Sequence, residues 1–533
     1  MPFVDLASGS LPHVERERSL PGHRLAFLSN SWLEGDVWGP FQSSLIDFFR
    51  AAVDDLLVVR VNSFFSAWTD APYSELHLRR FAQVLDDFRP TLVFTVNRAG
   101  MAAPVVQQLP PETRIISLFI DYYDRVPEEL KRWTERDFVW GTGTGWLREN
   151  FMEKYRDTLL REQVEFTLWA SDTHRFHPRG LERDIDVLFI GSPLSPEPFA
   201  DMIEFVAKEH PERLEVFLDV YFEHRRRYIH DIPAELERRG FNVAGVTEQP
   251  YREYLNNNWI LQAFMSDQIS TEARLKYLSA LANFKLHVYG EPEGLWIRYI
   301  STVNANLLRR YRYRPVKEAD ELPELYARTK VGLNVQHHHA NDVGLSMRVF
   351  DIMACGAVLL THRIAAPPLE ELGYREDEHF VAFDGVAECR AKARFLLEDR
   401  ETRERIADAG CALTHDRHSL QHRLVQVFGK AGYPDLAARF AELTTAAVSA
   451  AETPVTYVSD PETIELRPGA KRPLPRTLRE VRIAIGRKLP APLIDLDRRL
   501  FGSWFLQILL KHDPERGARP DARSGEQRGQ KVR

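Results

Sequence analysis

Cysteine is scarce: three in 533 residues, at 355, 389 and 411, without metal-ligand spacing. That excludes a disulfide scaffold and a cysteine zinc site, and the three read as buried free thiols in a reducing compartment. No apolar run approaches the roughly 20 residues of a membrane span, and the nearest, 501–510, is too short. Residues 1–21 lack a basic segment followed by an apolar core, so no secretory signal is expected and the location expected is cytoplasmic. Gly141, Gly143 and Gly145 do not have the spacing of a dinucleotide fingerprint. A P-loop lysine followed by Ser or Thr is also missing, so nicotinamide and ATP roles lose their best support. The net charge of −7 gives no global sign of nucleic-acid binding.

What the chain does have is alternation. Short apolar runs at 23–29, 56–61, 91–96 and 114–120 alternate with helical patterns at 41–53, 73–88 and 99–109. A further run at 138–140 leads through 141–145 into a helix at 146–155. A second round starts near 182 with a strand at 185–190 that ends in Gly191-Ser192. It continues through strands at 284–289, 311–316, 331–335, 357–361 and 380–383. Helices are expected at 322–329, 385–398, 401–413 and 418–430. Residues 199–281 are too long for a crossover and mostly helical in pattern, which reads as an inserted bundle. The expectation is an α/β chain of two tandem Rossmann-like domains facing a cleft. The divisions are a polar lead 1–22, a first domain 23–181, a second domain 182–432 with the insertion, and a tail 433–533 with a helix at 436–451.

The tail carries the charge asymmetry. Residues 467–533 hold 17 Lys and Arg against 7 Asp and Glu, a surplus of 10, so residues 1–466 carry −17 within the total of −7. Basic positions mixed with Ile483, Phe501, Trp504 and Leu509 suit either a helix on an anionic membrane surface through 467–511 or a short helix packed on the body.

Residues 344–363 join a helix, a stop at Gly356 and a buried strand, and residues 331–335 supply the strand before them. Ligands of such units collect at the strands' carboxyl ends, which places 337–348 at a binding rim. Arg348 and Asp351, three apart, share one helix face there: either an arginine for a diphosphate with a carboxylate for sugar hydroxyls, or a surface ion pair. Gly191-Ser192 is a small-residue turn that lets a phosphate approach, or simply a tight turn. The run His337-His-His339 favours a hydrogen-bonding loop or a phosphate or sugar contact over a metal site, since adjacent loop residues converge poorly on one ion. Asp184-Ile-Asp186 and Asp495-Leu-Asp497 have the Asp-x-Asp pattern of metal-dependent sugar transferases. The first opens its strand, the wrong end for a ligand, and the second lies in the basic tail, so no metal or other cofactor is expected. Asp121 closes a strand at its carboxyl end, as a base for an acceptor hydroxyl or as a turn residue.

Three segments carry a resemblance. Tyr326-Ala-Arg-Thr-Lys-Val-Gly-Leu-Asn334, Ser346-Met-Arg-Val-Phe-Asp351 and Ala354-Cys-Gly-Ala-Val-Leu-Leu-Thr361 together form the first. Leu168-Trp-Ala-Ser-Asp-Thr-His-Arg-Phe-His-Pro178 and residues 186–192 are the others. Over 90–430 the chain resembles glycosyltransferases of the two-Rossmann (GT-B) class, in the glycosyl transferases group 1 superfamily, and within it the branch of spore-maturation-type proteins. The resemblance implies transfer of a sugar from a nucleoside diphosphate, held by the second domain, to a glycan, polysaccharide or protein acceptor held by the first. It implies no metal, and retention at the anomeric carbon. Catalytic roles fall to Asp121 and Arg348, and donor contacts to Gly191, Ser192, His338, Ser346, Arg348 and Asp351. Asp351 stands where the superfamily has glutamate, Val343 where many relatives have a second one, and residues 193–197 lack the usual base. Two alternatives stay open: a sugar-nucleotide epimerase or hydrolase of the same fold, and a non-catalytic carbohydrate-binding or assembly protein.

Overall fold

The structure is a computed structural model that describes residues 22–30, 40–61, 75–120, 123, 126, 130–194, 196–290, 295–312, 316, 321–338 and 344–458. The described residues form twelve strands: β1 Arg24–Ser29, β2 Asp55–Arg60, β3 Leu92–Val96, β4 Arg114–Phe119, β5 Asp137–Thr142 and β6 Val164–Thr167, then β7 Ile185–Ile190, β8 Leu286–Tyr289, β9 Thr329–Asn334, β10 Val358–His362, β11 Val381–Phe383 and β12 Val455–Val458. They make two sheets, ordered β12-β2-β1-β3-β4-β5-β6 and β11-β10-β9-β7-β8. Every pairing between strands is parallel. Parallel sheets need cover on both faces, and β2 and β3 are buried along their whole length accordingly. The chain is therefore the α/β protein with two Rossmann-like domains that its alternating pattern predicts.

In the second sheet β7 is flanked by β8, which follows it in sequence, and by β9 on the other side. The chain runs from β7 to β8 on one side and from β9 to β10 on the other, so a crevice opens between β7 and β9 beyond their carboxyl ends. The turn at Gly191-Ser192 sits at that crevice. The helix Met347–Ala354 connects β9 to β10 and buries Val349, Phe350, Ile352 and Met353. It stops at Gly356, whose φ of +72° is the left-handed conformation a glycine takes cheaply. The Gly356 amide then bonds the Met353 carbonyl at 2.8 Å and the Ala357 amide the Ile352 carbonyl at 3.2 Å.

The insertion is helical, with Glu197–Glu209, Leu214–Arg226, Ile232–Arg238, Tyr251–Asn256 and Asn258–Ala280. It has its own core of Phe199, Phe217, Tyr221, Leu236 and Met265. The last helix, 23 residues and about 35 Å long, joins two cores. Its upstream residues Leu261 and Ile269 pack in the insertion, while Leu275 and Leu278 pack against the second sheet.

The structure departs from the local expectations at four points. Residues 311–316 are not a described strand: Tyr311 makes one isolated bridge to Val288, and 313–315 lie outside the described residues. β6 is absent from the sequence reading because it is only four residues long and contains Glu165, which pairs with Lys430. The packing also does not change at 432/433. The helix Leu420–Lys430 puts Leu424, Val427 and Phe428 into the core of the first sheet, the helix Pro434–Glu442 adds Leu436 and Phe440, and β12 pairs with β2. The expected helix at 436–451 is two, Pro434–Glu442 and Thr445–Ser449. An amphipathic pattern tells which side of a helix is buried but not which sheet buries it. Cys355 and Cys389 are buried free thiols and Cys411 is half-buried. No helix among the described residues is long and apolar enough to cross a membrane. The basic segment 467–511, Asp495 and Asp497 lie outside the described residues.

Candidate functional site

Gly191-Ser192 is held by its carbonyls. Trp296 Nε1 donates to the Gly191 oxygen at 2.8 Å, Arg274 Nη1 to the Ser192 oxygen at 2.6 Å, and Thr271 Oγ1 to the Pro193 oxygen. The Gly191 amide bonds the Tyr289 carbonyl at 3.0 Å. A Cβ on Gly191 would lie 2.9 Å from Arg348 Nη2, so glycine lets that guanidinium come up to the turn.

Arg348 reaches the turn from the helix Met347–Ala354. Its guanidinium lies over the Phe189 ring, 5.4 Å from the centroid, and Nη1 donates to Asn334 Oδ1 at 3.3 Å. Asn334 is held in turn by Thr361 Oγ1 at 3.0 Å, so neighbouring strand ends fix the arginine. The Gly191-Ser192 turn and Arg348, far apart in sequence, thus meet at one place. Ser346 is the residue before this helix, half-buried, and its side chain caps nothing.

Asp351 is not at the open rim. It is 6% exposed and accepts from Ser171 Oγ at 2.7 Å. Ser171 belongs to the crossover from first to second domain, which is bonded to the returning chain through its amide to the His418 carbonyl and its carbonyl to the Leu420 amide. The adjoining Asp172 accepts from Ser44 Oγ of the helix Pro40–Ala52 at 2.6 Å. Burial pushes the Asp351 carboxyl up to about 7, with Asp172 adding to the rise and Ser171 and Arg348 opposing it. The pair reading of Arg348 and Asp351 therefore gives way. The arginine faces the turn, while the shorter carboxylate is bonded to Ser171 of the crossover.

His338 is buried and tied on two sides. Its amide donates to Ser270 Oγ at 2.9 Å, and Nε2 donates to the His224 carbonyl at 2.8 Å. Burial holds it down at about 4, hence neutral at pH 7. His337 Nε2 meets Asp267 Oδ1 at 3.1 Å, and His339 lies outside the described residues. No group of metal-binding residues occurs among the described residues. Asp184 receives Arg328 through two bonds, at 2.9 and 2.7 Å, and Asp186 receives Lys330 at 2.6 Å, so that Asp-x-Asp is taken up by ion pairs at the start of β7. Asp121 lies outside the described residues.

His338 also lines a cleft of about 600 Å³ shared by Thr144 and Gly145 of the first domain, Tyr228 of the insertion and Pro367 and Glu371 of the second domain. The two domains come close there: a Cβ on Gly344 would be 3.8 Å from Gly143 Cα.

Arg274 is the residue the sequence reading missed. It is 5% exposed, and its Nε is buried without a partner. One signal was available: in the helix Asn258–Ala280 it shares the buried face with Thr271, Leu275 and Leu278. A lone cation on an apolar stripe needs an explanation that periodicity does not supply.

Residues 270–429 match a family model described as glycosyl transferase-like, a stretch that contains Arg274, Arg348 and Asp351. The second domain is thus of glycosyl transferase type. No curated protein matches the sequence. Among solved structures the chain is similar to Alr3699/HepE of Anabaena in complex with UDP and glucose, at 11% identity and a TM-score of 0.44, covering 79% of this chain and 100% of that one. It is also similar to a glycosyltransferase of Rickettsia africae, at 7% identity and 0.45, covering 79% and 100%. Sucrose-phosphate synthase of Thermosynechococcus elongatus gives 11% identity and 0.45, covering 78% and 100%. The narrower likeness to spore-maturation-type proteins has no counterpart in these matches.

Proposed function

We propose that the protein is a glycosyltransferase that moves a sugar from a nucleoside diphosphate donor to a glycan, polysaccharide or protein acceptor, without a divalent cation and with retention at the anomeric carbon. The observation that carries this reading is Arg348 at the Gly191-Ser192 turn, inside the glycosyl transferase-like stretch and at the carboxyl end of β7. Departure of a nucleoside diphosphate leaves negative charge on the diphosphate. A fixed guanidinium aimed at that charge lowers the barrier. A metal is unnecessary where arginine supplies the charge, and Asp184 and Asp186 already serve Arg328 and Lys330. Retention is carried by the resemblance of residues 326–361 alone. The acceptor enters from the first-domain side of the cleft, past Thr144 and Gly145, and Asp121 is the candidate base for its hydroxyl.

Incubation of labelled nucleoside diphosphate sugars with and without glycan and peptide acceptors tests the reading. Transfer is expected to persist with a chelator present, and Arg348→Ala is expected to lower turnover roughly 10²–10³-fold with the fold intact. Complete conversion to epimer or free sugar without acceptor would replace transfer by epimerisation or hydrolysis. Unchanged turnover in the variant would remove Arg348 from the mechanism.

A further inference from the structure

The turn at Gly191-Ser192 faces its surroundings unevenly. Three successive carbonyls, from Gly191 to Pro193, are drawn inward by Trp296, Arg274 and Thr271. The Ser192 amide and hydroxyl make no hydrogen bond among the described residues. Donors turned one way and acceptors the other is the arrangement by which backbone receives an anion.

Two arginines converge on this turn from different elements. Arg274 comes from the insertion's long helix and Arg348 from the helix after β9. They are close enough for the Arg348 charge to add to burial in pulling Arg274 down to about 9, which still leaves it charged at pH 7. Among the described residues neither has a carboxylate in bonding contact. The acid that acts on Arg274 is Asp267, which already meets His337. Asp351, on the Arg348 helix, is bonded to Ser171. Arg348 has two neutral partners, the Asn334 oxygen and the Tyr326 hydroxyl, and Arg274 has one carbonyl and a buried, unpartnered Nε. A buried guanidinium of structural purpose normally has its donors met, so the buried Arg274 with its unpartnered Nε, beside the half-buried Arg348 at the same turn, implies an anionic partner.

We propose that Arg274 and Arg348 form a two-arginine seat for the diphosphate of the donor, in which the insertion supplies the cation that residues 193–197 lack. The inference rests on the glycosyltransferase reading for the word donor, but the anion seat itself does not. It gives the insertion a function and has a thermodynamic consequence. In the empty protein Arg274 is a liability, a desolvated charge beside a like charge, and the diphosphate relieves it. A residue that merely braces the turn would stabilise the empty protein instead.

Thermal unfolding of the full chain, with inorganic pyrophosphate and UDP as probes and a chelator present, separates the two. Wild type is expected to melt higher with either probe. Arg274→Met is expected to melt at or above wild type when empty and to lose the shift, with affinity for pyrophosphate at least tenfold weaker. Arg274→Lys, which keeps the charge but not the fork, is expected to fall between. A variant Arg274→Met that fails to fold, or melts lower while keeping the shift, would mark a brace and overturn the seat, as would a wild type that neither probe shifts. Pyrophosphate binding that needs Arg274 in a protein that transfers no sugar would leave the seat standing and sink the glycosyltransferase reading. Transfer with unchanged KM and kcat in Arg274→Met would do the reverse.

Discussion

Two buried arginines, one in each domain, have opposite surroundings. Arg98 of the first domain is 0% exposed and has its hydrogen bonds met by the Leu130 carbonyl at 2.9 Å, Ser117 Oγ at 3.0 Å, the Arg132 carbonyl at 3.1 Å and the carboxylate of Asp137. Its guanidinium also lies over the Trp133 ring, 4.8 Å from the centroid. Arg274 of the second domain is equally hidden, yet it has one carbonyl, an empty Nε and a second arginine for a neighbour. Asp137 is further fixed by the Thr134 amide and hydroxyl, both at 2.7 Å, so the first cluster is closed on itself. Burial alone does not tell a structural charge from a functional one. Whether the charge is already answered within the protein does.

The comparison breaks most sharply at Arg98. Arg98→Met leaves Asp137 buried without its cation and is expected to cost about 3–5 kcal/mol in urea unfolding, while Arg274→Met costs nothing. Equal losses at the two positions would show that both arginines are braces.

Asp351 sharpens the contrast as a buried acid with one hydroxyl for a partner. Its folded pKa of about 7 lies above the ordinary 3.8, so the folded state binds more protons between those values. Its contribution to stability is therefore full below about pH 4 and is lost as pH rises through 7. Asp351→Asn keeps an oxygen for Ser171 and removes the titration. The variant should gain on wild type as pH rises, by on the order of 4 kcal/mol at pH 8. A difference that stays flat with pH would mean Asp351 ionises freely and finds a second partner.

The smallest effect is expected at the exposed end of β7. Asp184 and Arg328 are paired with side chains each 35% exposed. Asp184→Asn should change stability by less than about 1 kcal/mol and leave transfer untouched with or without added metal. Loss of metal-stimulated transfer in this variant would return the Asp-x-Asp to the chemistry.

Much of this was legible beforehand. Continuous apolar runs such as Ile185–Ile190 and Val358–His362 read as parallel strands because both their faces are covered, and the positive-φ stop at Gly356 follows from residue type. The rule that ligands gather at strand carboxyl ends points to the Gly191-Ser192 turn and to Arg348, and the turn and the arginine do meet. The surroundings of Asp351 are not legible in the same way, because three-residue spacing gives a shared helix face but not what the face meets. That partner, Ser171, is 180 residues away. β12 and the helices before it read as part of a tail for a related reason, since four residues hold no information about which sheet edge they complete.

By itself the sequence determined the sheet order's raw material, the turn, the rim and Arg348, because these depend on local periodicity, glycine conformation and position at a strand's end. Only the tertiary structure decided that Arg274, 82 residues after Ser192, bonds its carbonyl, and that this arginine, unlike Arg98, has no carboxylate in bonding contact among the described residues. Desolvation and charge pairing are sums over whatever surrounds a group in space, and no window along the chain contains those neighbours.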